Sequence, residues 1–233
     1  MNKQPVYYMQ TDPRWKDVDY SAPGEKTTIG RAGCGPTCAA MLIETITGKT
    51  FTPVDAAKWS LKHGGKAVNQ GTYYSYFTKQ FKEHGIACER LNTSTVYGKP
   101  NDPVHGKAFR LLQDGYYLIA CMGPGTWTRG GHFVVVWWKD GKVRINDPNS
   151  KKTDRTNGDY NTFKKEVKYY WSVDAGDDNM IYYEKLNDVP EAYKTSVQKA
   201  INKGVLKGFG KDVLNVSEDL CRMLTILERL KLL

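Results

Sequence analysis

Among 5 cysteines and 4 histidines, one of each stands in a segment suited to nucleophilic chemistry. Cys34 lies in GRAGCGPTCAA, at the expected start of a helix. A thiol there faces unpaired backbone N–H groups and the positive end of the helix dipole, which favour thiolate and bring such cysteines to a pKa of roughly 3.5–7.5. Gly33 and Gly35 leave room on either side for a substrate carbonyl, although Gly-Cys-Gly-Pro also suits a tight turn before a helix. Cys38 lies one turn further along, on the same face among packed neighbours, and reads as core. No His pair or second Cys pair offers ligand spacing near Cys34 and Cys38, so no metal and no cofactor is expected.

A nucleophilic thiol needs a base. His63 and His84 each precede a glycine at an expected helix end, where a histidine usually caps the last turn, and His105 sits near a helix start. His132 follows Gly130-Gly131 and opens the strand HFVVVWW, where a rigid element would hold it at the mouth of a cleft. The turn Lys139-Asp140-Gly141-Lys142 returns the chain as VRIND, which brings Asp147 back beside His132. A carboxylate there would fix the imidazole tautomer and stabilise imidazolium. Asn-Asp-Pro is also a common turn start. Cys, His and Asp in that order, on a helix start, a strand start and the paired strand, are more specific together than any of the three alone.

These residues need elements to position them. Residues 34–47 read as a buried central helix with Pro36 near its start and Gly48 past its end. Further helices are expected from Thr52-Pro53 to about Lys62, over 71–84, and over 103–113. After Gly115 the texture changes to strands: YYLIACM, HFVVVWW, VRIND, 166–173 and 179–185. Helices first and strands later predict an α+β domain, an antiparallel sheet packed on a helix layer.

The strings GCGPTCAAML, GGHFVVV and INDPNS resemble the papain-fold cysteine peptidases related to the double-glycine leader peptidases of bacteriocin exporters, in the soluble branch without a transporter. The resemblance covers about residues 5 to 185. It implies Cys34 as nucleophile, His132 as base and Asp147 as the group orienting the base. It also implies an upstream glutamine as oxyanion donor, matched by Gln10 in YMQTDPRW. Cys38 departs from the small residue expected there. Gly33, Gly131 and Trp127 are the expected substrate contacts, with Trp138 as a second cleft aromatic.

The expected domains are a papain-like catalytic domain, 1–186, and a helical module, 187–233. Pro190 opens a helix with Val197, Ala200 and Ile201 on one face, the chain breaks at GVLKGFG, and Ser217 caps a second helix with Glu218 and Asp219 in its first turn. Leu220, Met223, Leu224, Leu227 and Leu230 form one apolar stripe on it. No strand is expected beyond Asp188. The tail resembles one surface-layer-homology-type repeat, a wall-binding module usually used in sets, through glycines 204, 208 and 210 and the apolar stripe. That implies wall binding or a homodimer through the C-terminal helices.

The chain carries 34 Lys and Arg against 25 Asp and Glu, a formal net charge of +9. This fits a solvated basic surface or a polyanionic partner equally well. Without Lys/Arg runs or a nucleic-acid motif, no nucleic acid is expected. No apolar run spans a bilayer, so no membrane partner is expected. The N-terminus has no apolar signal-peptide core. Together these features resemble a phage endolysin, held in the host cytoplasm until a holin-type release and cutting an amide of bacterial cell wall peptidoglycan. The rivals are a cysteine peptidase acting on proteins or leader peptides, and a catalytically dead wall-binding protein.

Overall fold

The computed structural model describes residues 3–157, 159–176, 182–183, 185–207, 214 and 216–233. Its contacts divide the chain into two units, Met1–Gly176 and Asp177–Leu233, a division earlier than the expected 186/187 boundary.

In the first unit, α1 (Ile29–Ala32) ends at Gly33, and α2 (Cys34–Thr47) starts at the next residue. Helix α2 is buried on almost every side and stops at Gly48, whose φ of +65° needs no Cβ and whose N–H closes on the Glu44 carbonyl. Thr45 Oγ1 bonds back to Met41 O at 2.5 Å and accepts the Val6 N–H at 2.8 Å, pinning the N-terminal segment to the helix. Helix α3 (Pro53–Lys62) begins with a Thr52/Asp55 capping box and Pro53 in its first turn. Helices α4 (Tyr76–Glu83) and α5 (Pro103–Gln113) follow, the second capped by Asp102.

The sheet has five strands, β1 (Cys88–Arg90), β2 (Tyr117–Met122), β3 (His132–Lys139), β4 (Lys142–Asn146) and β5 (Val167–Val173), in the order β1-β5-β2-β3-β4. Every pairing is antiparallel. The β3–β4 turn has Asp140 at φ +51° and Gly141 at φ +72°, the left-handed pair that a two-residue hairpin needs. The period-two alternation of β3 sorts its side chains between two cores. Phe133, Val135 and Trp137 face α2 and α4, while Val134 and Val136 face α5 and α7 (Tyr160–Glu166), with α6 (Thr153–Thr156) beside β4. The expected α+β architecture is the one observed. Strand β1 and helices α6 and α7 had no signal in the sequence reading.

The second unit contains α8 (Glu191–Asn202), α9 (Glu218–Arg229) and a short ladder of β6 (Tyr182–Tyr183) with β7 (Val216–Ser217). Two expectations change here. Of the expected 179–185 strand, Tyr182 and Tyr183 lie in this unit and pair beyond Asp188, where no strand was expected, because their partner is remote in sequence; 179–181 and 184 lie outside the described residues. The single α9 stripe also splits: Cys221 and Leu224 are buried and Leu220 and Leu227 half-buried against the unit's core, while Met223 and Leu230 are exposed with Ile226. A helix face is wider than the one neighbour that covers it. Gly204 has the left-handed φ of +67°. Glycines 208 and 210, and the side chains of Ser217, Glu218 and Asp219, lie outside the described residues.

Candidate active site

The first turn of α2 places Cys34 beside the start of β3. Its thiol is hydrogen-bonded to His132, and the backbone N–H groups of Phe133 and Gly35 also donate to the sulfur. His132 Nε2 is bonded to Asp147 Oδ1 at 2.7 Å, so Nδ1 is the ring nitrogen left for the thiol. The hairpin explains the reach: Val135 pairs with Asn146, and the chain turns at once through a bridge between Asp147 and Ser150. Cys34, His132 and Asp147 are thus brought together in one buried chain of hydrogen bonds.

The electrostatics follow from that contact. Burial pushes the Cys34 thiol up, but hydrogen bonding and charge attraction from His132 outweigh it, and the thiol lies below its ordinary value. Burial would lower His132, yet the bonds to Asp147 and Cys34 win, and its pKa rises to about 9. The two shifts are complementary and favour a thiolate–imidazolium pair. Cys38, fully buried one turn further along, is raised well above its ordinary value by burial and by the neighbouring charges, so it stays a neutral core thiol as expected. None of the five cysteines is in a disulfide, and Cys121 and Cys221 are buried while Cys88 is half-buried.

The other histidines are engaged elsewhere. His63 and His84 are the C-cap residues of α3 and α4. His105 is buried between the Tyr170 hydroxyl at 2.9 Å and the Lys99 carbonyl at 3.0 Å. Among the described residues, no group of three His, Cys, Asp or Glu is arranged to hold a metal ion.

Gln10 sits at this end of the sheet. Its backbone N–H donates to Pro148 O at 2.7 Å and its Nε2 to Gly30 O at 2.9 Å, which ties it both to the turn after Asp147 and to the helix before Cys34. Its Oε1 is buried without a partner. Of its two amide hydrogens, one is engaged by the Gly30 carbonyl.

The expected substrate contacts fare differently. Gly131 is exposed, with open space where a side chain would point. Gly33 is buried, and an added Cβ would lie 2.5 Å from the Ile29 carbonyl, so close packing of α1 on α2 requires the glycine rather than substrate access. Gly35 is likewise filled in by Thr72 Oγ1, 2.4 Å from its would-be Cβ. Trp127 is a core residue on the α5/α7 face, edge-on to Phe163 at 5.6 Å, with Nε1 bonded to Arg155 O at 3.1 Å. Cys34 belongs to the core on the other face of the sheet, so Trp127 does not line its cleft. Trp138 packs edge-on to Phe109 on the same α5 side.

Two contributors had no signal in the sequence reading. The Tyr7 hydroxyl donates toward Ser150 O at 2.8 Å and accepts the Asp147 N–H at 3.2 Å. Arg155 Nη1 donates to Asp147 Oδ2 at 3.2 Å. Neither carries a motif, and Arg155 lies in a charged, turn-rich stretch that a solvated loop would also show.

The Peptidase_C39 like family model matches residues 6–178, which spans the first unit with every residue of the site. No curated protein matches the chain. With that match extending over most of its length, and with a thiol, an imidazole and a carboxylate bonded in series at the start of α2, this chain belongs to the Peptidase_C39 like family and is a cysteine peptidase.

Proposed function

We propose that this peptidase is an endolysin-type peptidoglycan hydrolase that cleaves an amide bond of the bacterial cell wall through Cys34, His132 and Asp147. The observation that carries the mechanism is the bonded series from the Cys34 thiol through His132 to the buried Asp147 carboxylate. The Cys34 thiolate attacks the amide carbonyl carbon, and the C=O electron pair moves to oxygen. In this reading, backbone N–H groups at the start of α2 and the Gln10 side-chain amide donate to that oxyanion. The intermediate collapses as His132 gives its proton to the leaving amine, the C–N bond breaks, and a thioester remains. His132 then takes a proton from water, the resulting hydroxide attacks the thioester, and the acid leaves as the thiolate is restored.

The substrate assignment is supported by the net charge of +9, which suits a polyanionic wall, and by the likeness of the tail to wall-binding repeats. In this reading the protein accumulates in a host cytoplasm and meets the wall after holin-type release. The exposed Met223, Ile226 and Leu230 are the proposed surface for wall attachment or self-pairing of residues 187–233. The decisive test is clearing of Gram-positive cell-wall suspensions, with Cys34→Ala as control and a soluble peptidoglycan fragment and a double-glycine leader peptide as parallel substrates. Clearing that needs Cys34 supports the proposal. Cleavage of the leader peptide alone would replace it with a processing peptidase.

A further inference from the structure

Asp147 is fully buried, and a buried carboxylate is costly unless its oxygens find donors. Oδ1 accepts from His132 Nε2 at 2.7 Å and from the Asn149 N–H at 2.8 Å. Oδ2 accepts from Arg155 Nη1 at 3.2 Å. Arg155 stands on a one-turn helix that is anchored from two directions. Its own carbonyl accepts Trp127 Nε1 at 3.1 Å, and Asn157 just beyond α6 accepts Arg144 Nη1 of β4 at 2.6 Å. Trp127, which does not line the cleft, thus holds the segment that delivers Arg155. A flexible surface arginine would have no such seat, and an exposed ion pair would contribute little. Here the acceptor is fully buried and the donor side chain is 24% exposed.

We propose that Arg155 is a positioning residue of the peptidase site: its guanidinium locks the Asp147 carboxylate against the His132 ring and, by sharing the carboxylate's charge, keeps the imidazolium acidic enough to protonate the leaving amine. This rests on the thiol mechanism given above. The charged and titratable groups around the ring are Cys34 and Cys38 on α2, Asp147 after β4, Arg155 on α6, and Tyr7 with Lys151 over its ring at 5.3 Å. Burial outweighs the opposing backbone bond from Asp147 and pushes Tyr7 up to about 12, and Cys38 is neutral, so Arg155 is the cation that shares the carboxylate with the His132 imidazolium. Without it the whole negative charge acts on His132. The imidazolium becomes more stable and a poorer acid.

The test compares Arg155→Met and Arg155→Lys with the full-length wild type. The first readout is the rate of Cys34 alkylation by iodoacetamide against pH, with Cys34→Ala as background, which needs no wall substrate. The second is kcat and KM on a soluble peptidoglycan fragment. Arg155→Met is expected to move the alkaline inflection up by about half to one pH unit and to lower kcat about three- to ten-fold, with KM within about two-fold. Arg155→Lys, which keeps the charge, is expected to return both toward wild type. An Arg155→Met protein with wild-type inflection and kcat overturns the proposal, as does an Arg155→Lys protein that behaves like Arg155→Met. A wild-type Cys34 alkylated no faster than an ordinary thiol would instead overturn the thiol mechanism, and this proposal with it.

Discussion

The two units handle exposure in opposite ways. In Met1–Gly176 the polar groups of the site are withdrawn from water and bonded to one another, with Asp147 fully buried and His132 and Cys34 nearly so. In Asp177–Leu233 apolar side chains remain in water: Met223 is 57% exposed, Ile226 56% and Leu230 62%. Burying charge is costly and leaving apolar surface wet is costly, so each departure marks where function places a demand. The first unit is shaped around a reaction, and the role proposed for the second rests on its exposed apolar face. It follows that single atoms should control the first, and that the second should respond only to changes in the whole face.

The largest expected effect is the loss of the nucleophile. Cys34→Ala should lower hydrolysis of a soluble fragment by at least about a thousand-fold while circular dichroism shows an unchanged fold. A folded, active Cys34→Ala with a dead Cys38→Ala would reverse the assignment.

Next is the orienting carboxylate. Asp147→Ala should cost about a hundred- to ten-thousand-fold in kcat. The pH profile sharpens this. Activity needs the Cys34 thiolate, formed below the ordinary thiol range, and protonated His132, lost as pH passes about 9. Asp147 favours imidazolium, so its removal lowers the His132 pKa toward 6.5, and the alkaline limb must move to lower pH. A limb that stays near its wild-type position would take Asp147 out of the mechanism.

The comparison itself is tested by cutting the chain after Gly176. The remaining protein should hydrolyse the soluble fragment at close to the full rate but clear whole walls about ten-fold less well, since tethering raises local concentration. Truncated protein that is folded yet inert on the soluble fragment would break the division of labour. Equal wall clearing together with an unchanged oligomeric state would remove the surface role.

Smaller still is the effect of Gln at Met223, Ile226 and Leu230 together. Each site is exposed, so each change should alter stability by no more than about 0.5 kcal/mol, while wall adsorption or self-association on size exclusion falls. The smallest expected effect on activity is that of Cys38→Ala, which should keep most of the wild-type rate because its thiol is neutral and fully buried in the core.

Much of this was legible from the amino-acid order because it depends on near neighbours. Helix starts and stops are set within one turn by Thr52-Pro53, Asp102-Pro103 and Gly48, and Asp140-Gly141 sets a two-residue turn. Those local rules place Cys34 at a helix start and bring Asp147 back to His132 through one hairpin, so the three chemical groups could be found together. The tertiary structure decided what depends on which face meets which neighbour. It put Trp127 on the far face of the sheet, filled the space beside Gly33 with Ile29, paired Tyr182–Tyr183 with Val216–Ser217, and divided the α9 stripe into a covered and a bare half. It also delivered Tyr7 and Arg155 to Asp147 from segments 140 and 8 residues away. Capping and periodicity are short-range properties written into consecutive residues. The partner of a buried carboxylate and the cover of a helix face depend on long-range packing, which no window of sequence contains.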